Sequence, residues 1–91
     1  MIRKLKAFGI DWKVRCLKDH PLLTGNMAYC DMPTNTILIS SLIPHNEQMS
    51  ALLHEIVHIV DHRLSLEIDE DKTMRLEAGL FSILHDNHLQ F

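Results

Sequence analysis

The residues of this chain best suited to chemistry stand within five positions: His54-Glu55-Ile56-Val57-His58, inside the stretch MSALLHEIVHIVDHRL (residues 49–64). On a helix, side chains four residues apart lie about 5–6 Å apart on one face, so two imidazoles there can converge on one metal ion. Glu55 lies beside them, close enough to act as general base toward a metal-activated water without being a ligand. The competing reading is three polar residues on the wet face of an ordinary helix.

The rest of that segment weighs between the two. At about 100° per residue, His54, His58, Asp61, Ser50 and His62 form one polar stripe, and Leu52, Leu53, Ile56, Val57, Ile59, Val60 and Leu64 fill an apolar arc of roughly 220°. A surface helix needs only a little over 100° of apolar face, so this one is expected to be largely enclosed, with its polar stripe on a cleft. That context favours a metal site.

A catalytic zinc takes three protein ligands and keeps one position open. His62 is an alternative third ligand, but His54, His58 and His62 span about 12 Å of helix rise, too far for one tetrahedral ion. Position 64, where an HExxHxxGxxH enzyme carries its third histidine, is leucine, which excludes that subclass. Further on, Glu77 falls in the middle of an apolar face made by Thr73, Met74, Leu80, Phe81 and Leu84. A lone carboxylate there is costly unless a cation or an ion pair compensates it. Glu77 is therefore the expected third ligand. Glu67, Asp69 and Asp71 are weaker candidates, because a loop and a helix start already account for them. Asp61, on the histidine stripe, is expected to orient an imidazole rather than bind the ion.

These residues need elements to position them. Residues 11–18 alternate Trp12, Val14 and Cys16 with Lys13 and Arg15, which predicts a half-buried strand. Residues 20–26 read as a loop, and 27–31 and 36–40 as a hairpin turned by MPTN (32–35). A helix is expected from about 46, with Asn46 as N-cap, to 64. A second should begin after Asp69, which can cap it with Glu70 and Asp71 in the first turn, and run to about 85. Strands first and helices after predict an α+β fold, a small antiparallel three-stranded sheet followed by two helices, in one domain over residues 1–91.

Composition narrows the function classes. The chain has 91 residues, 46% hydrophobic and 23% charged, with a net charge of −3, a balance normal for a globular domain and without a strong pull toward nucleic acid or membrane. Arg3, Lys4, Lys6, Lys13, Arg15 and Lys18 gather at the amino-terminal end, expected as the solvated face of a strand. No apolar run is long enough to span a bilayer, and the basic start lacks the apolar core of a secretory signal. Cys16 and Cys30 are expected as free buried thiols in a reducing compartment.

With His54, Glu55, His58 and Glu77 in place, the chain resembles a gluzincin-type metallopeptidase of minimal size, more closely the ImmA/IrrE-like minimal zincins and their short phage and prophage members. The resemblance rests on GIDWKV, the hairpin into TILIS, LLHEIVHIVDHRL and EDKTMRLEAGLFSILHDN, the last two being the specific parts. The chain departs from the larger members at Ala78-Gly79-Leu80-Phe81, where they carry an Ala-Asn-containing stretch. The resemblance implies zinc (Zn2+) held by His54, His58 and Glu77, with Glu55 as general base. It implies hydrolysis of a peptide bond in a protein or peptide substrate, such as a phage or host regulator, in the bacterial cytoplasm. An extended substrate would pair with the strand edge at 27–31, and His20 or Tyr29 are weak candidates for an oxyanion donor. The alternative is a non-catalytic interaction module that keeps zinc for stability. Glu55 favours the enzyme, because a structural site needs no base beside its ligands. The small size favours the module, because it limits a substrate cleft.

Overall fold

The computed structural model describes residues 1–89. The chain opens with a hairpin of β1 (Lys4–Ala7) and β2 (Ile10–Leu17), in which Ala7 pairs with Ile10. The two residues between them, Phe8 and Gly9, both have positive φ, 52° and 75°. That is the backbone a two-residue hairpin needs to match the twist of its strands. The sequence reading found β2 but not β1, whose four residues alternate too briefly to signal a strand.

After β2 the chain makes a 3-10 turn at Pro21–Leu23, then β3 (Ala28–Asp31) and β4 (Thr36–Ser40) form the expected antiparallel hairpin. β4 does not stop at that pairing. It inserts beside β2, parallel to it, with Val14 opposite Ile37 and Cys16 opposite Ile39. The sheet is thus four-stranded and mixed, in the order β1-β2-β4-β3. This corrects the expected antiparallel sheet of three strands, while the α+β class stands. The physical reason lies in β4. Ile37, Leu38 and Ile39 are all buried, the pattern of a strand covered on both faces and paired on both edges. Leu38 looks away from the helices, to the side where the 3-10 turn, with Leu23 buried, packs on β3 and β4.

On the other face, Trp12, Val14, Ile37 and Ile39 meet Leu52 and Ile59 in the core. Those two leucine and isoleucine side chains belong to α1 (His45–Leu64), which lies on the sheet and also packs along α2 (Glu70–Asp86). Both helices lie within about a residue of their expected bounds. Pro44, not Asn46, occupies the cap position of α1, and no side chain caps it. Its fixed φ suits the turn into a helix, and it moves Asn46 into the first turn. At the other end Ser65 is left-handed (φ 51°), and its N–H bonds to Asp61 O. Asp69 caps α2 as expected, accepting from Lys72 N at 2.8 Å. Among the described residues no helix is long and apolar enough to cross a membrane.

Candidate metal centre

α1 sets the histidines. His54 and His58 stand one turn apart with ring centroids 4.8 Å apart, and both are only partly exposed. α2 brings two glutamates against them, in different ways. Glu77 Oε1 lies 2.7 Å from His54 Nδ1, and its other oxygen accepts from Ser50 Oγ at 2.5 Å. Glu70 faces the opposite nitrogens: Oε1 is 2.8 Å from His54 Nε2 and Oε2 is 3.7 Å from His58 Nε2. One ligand atom from each of His54, His58 and Glu70 lies within 4.8 Å of the others.

The donor chemistry of this cluster fits a cation. A neutral imidazole has one N–H and one lone pair. With Nδ1–H given to Glu77, His54 turns the lone pair of Nε2 toward Glu70, acceptor against acceptor. A dication held among the three groups satisfies all of them, as does a second proton on the ring. Two imidazoles and a carboxylate with room beside them form a zinc-type donor set. The Nδ1–carboxylate bond from Glu77 is the contact that fixes a metal-binding histidine in tautomer and orientation.

The carboxylate facing both Nε2 atoms is thus Glu70, while the sequence-predicted Glu77 contacts His54 through Nδ1. A signal for Glu70 was present. It lies two turns before Glu77, so the helical wheel that singled out Glu77 places Glu70 roughly 20° away. It was absorbed by a local explanation, an acid in the first turn favoured by the helix dipole.

Glu55 is 7% exposed and lines the same cavity as the cluster. Burial pushes its carboxyl up from 4.5 to about 7; His54 beside it pulls the other way, and Glu70 and Glu77 add to the rise. Asp61 does not touch an imidazole. Its Oδ1 accepts from Ile68 N at 3.0 Å and its backbone oxygen from Leu66 N at 3.2 Å, so it secures the loop between the helices. His62 is exposed on the cavity wall, outside the three-residue group. His20 Nδ1 accepts from Leu22 N at 3.1 Å, at the head of the 3-10 turn. Cys16 and Cys30 are both free, but Cys16 is exposed rather than buried: it shares the face of Trp12 and Val14 yet lies at the end of β2, where its thiol reaches Gln48 Oε1 of α1 at 3.5 Å. Burial first, then Glu55 and Asp31, push the Cys30 thiol up to about 12.

The cavity in front of the cluster measures about 940 Å³, within the range of ligand clefts. One wall is β3, an edge strand whose outer side is unpaired; Met27, Ala28, Tyr29 and Cys30 line the cavity there, as the expectation of a strand edge at 27–31 requires. No protein-family model matches this chain, and no curated protein or solved structure matches it.

Proposed function

We propose that this chain is a zinc-dependent peptidase of the minimal zincin type. His54, His58 and Glu70 hold the metal, Glu77 orients His54, and Glu55 is the general base. The observation that carries the reading is the convergence of two Nε2 atoms and one carboxylate from two helices, beside a buried glutamate on the wall of a cleft. A purely structural zinc site would fill its fourth position with protein and would have no use for Glu55.

Bound zinc supplies Lewis acidity, lowering the pKa of water toward about 7 and polarising a carbonyl. The protein does the rest. The open edge of β3 takes an extended peptide as an added strand, with backbone hydrogen bonds supplying affinity. Glu55 accepts the proton of the attacking water and later gives it to the departing amine, so the peptide bond breaks with one water consumed. Its carboxyl, near 7 without a metal, moves down beside a dication and is then ionised to accept that proton. Glu77 keeps the N–H of His54 on Nδ1, leaving Nε2 free to bind.

Metal analysis of the purified protein tests the site, and cleavage of a peptide library tests the chemistry. The expected results are near-stoichiometric zinc in both wild type and Glu55→Gln, with cleavage in wild type alone. Absence of zinc sinks the site. Zinc without cleavage by any preparation removes the enzyme and leaves the metal as a staple for an interaction module.

A further inference from the structure

α2 carries two apolar rows. One, with Thr73, Phe81 and Leu84, is turned toward α1, where Phe81 and Leu84 meet Met49 and Leu53 around a cavity of about 220 Å³. The other consists of Leu76, Leu80 and Ile83, which are 44%, 41% and 59% exposed. Their spacing of four and then three residues is that of a seam between paired helices. At about 100° per residue this row lies roughly a quarter turn from Glu70 and Glu77, so a body seated on it leaves the cleft open.

Three further observations say what that body is. The accessible surface is 6214 Å² for a chain of 10.5 kDa, whereas a compact monomer of that mass exposes about 5400 Å². The chain thus exposes more surface than a compact monomer of its mass, and Leu76, Leu80 and Ile83 are part of what it exposes. Gly79 lies beside the row in mid-helix, where glycine costs stability, and a Cβ there would meet nothing within 4 Å in this chain. Finally, Lys72, exposed and without an ion pair among the described residues, and Asp86, exposed, flank Gly79 at seven residues on either side.

We infer that α2 pairs antiparallel with α2 of a second copy of this chain, across Leu76, Leu80 and Ile83. A two-fold axis beside Gly79 brings Lys72 of each copy to Asp86 of the other, and it puts the residue without a Cβ where the helices come closest. A parallel pairing would oppose Lys72 to Lys72 and Asp86 to Asp86. The pairing is independent of the metal reading, since no ligand lies in the row.

Sedimentation equilibrium of the full chain tests it. The expected mass is twice the 10.5 kDa of one chain. Leu80→Glu and Ile83→Lys should each give the single-chain mass with an unchanged circular dichroism spectrum. Lys72→Glu should weaken the dimer by roughly tenfold or more, from two like-charge contacts, and Lys72→Glu with Asp86→Lys should recover it. A wild-type chain that stays at one-copy mass at its highest soluble concentration overturns the inference and leaves the row to a different protein. A dimer that survives both Leu80→Glu and Ile83→Lys overturns it as well, and failure of the charge exchange to recover association overturns the antiparallel arrangement.

Discussion

The two glutamates of α2 can be separated by what each does to zinc affinity. Glu70 presents its oxygens to both Nε2 atoms, whereas Glu77 reaches only Nδ1 of His54. Zinc sites of four protein ligands bind with about 10–16 kcal/mol, or roughly 2.5–4 kcal/mol per ligand. Glu70→Ala should therefore weaken zinc by roughly 10²- to 10³-fold. Glu77→Gln keeps the ligand set intact but exchanges the carboxylate that orients His54 for a neutral amide, a change worth at most about 10- to 100-fold. Metal-free stability adds a second contrast. The Glu70 side chain is 63% exposed, so its removal should change the metal-free stability only within the small range of surface substitutions, about 0.5 kcal/mol. Glu77, at 23% exposure and bonded to both Ser50 and His54, should cost more when changed. The assay is competition for zinc against a chromogenic chelator, with metal-free melts run in parallel. A larger affinity loss in Glu77→Gln than in Glu70→Ala would refute the assignment of Glu70 as ligand and return that role to Glu77.

Zinc at about a hundred times its dissociation constant should stabilise the fold by about 2.7 kcal/mol, raising the melting temperature by roughly 10–20 °C for a domain of this size; circular dichroism melts that do not move with zinc would count against any site. Asp69→Ala should cost about 1 kcal/mol by removing the cap on Lys72 N, and it should weaken zinc too, since the capped turn carries Glu70; calorimetry and the chelator assay read the two effects separately. The Cys30 thiol, near 12, should carry about a thousandth or less of the thiolate of a free cysteine near 8.5 at neutral pH, and its alkylation should rise with pH well into the alkaline range. Mass spectrometry after brief alkylation at pH 8 should find one label, on exposed Cys16, with the second appearing only on denaturation.

What the sequence revealed was what local rules govern. The i, i+4 relation of His54 and His58 follows from helix geometry alone, and Asp69 announced the start of α2 by its type and place. The parallel pairing of β2 with β4 was not legible, because it joins segments about twenty residues apart and no local alternation records which strands become neighbours. Only the unbroken apolar run Ile37-Leu38-Ile39 hinted that β4 would be central. Glu70 was hidden for a different reason: a helix-dipole explanation fitted it fully, so nothing remained to be explained until the fold placed it opposite two imidazoles. The apolar residues of α2 misled in the opposite direction. Met74 and Leu80 were expected on a buried face around Glu77, but they are 58% and 41% exposed, since α1 covers a narrower strip than the wheel implied.

That narrow contact has a consequence for how the molecule comes apart. Thr73 is the one buried residue of α2, and beside the contact of Phe81 and Leu84 with Met49 and Leu53 the helix is tied to α1 by Glu77, through its bonds to His54 and Ser50. With so little of its surface buried, α2 is expected to have a lower local unfolding free energy than the strands under α1. An ion held by His54 and Glu70 would close a loop of sixteen residues between the two helices. The candidate centre would then act as a clasp, and the opening of the helical hairpin, read by amide exchange with solvent, would become linked to the concentration of free metal.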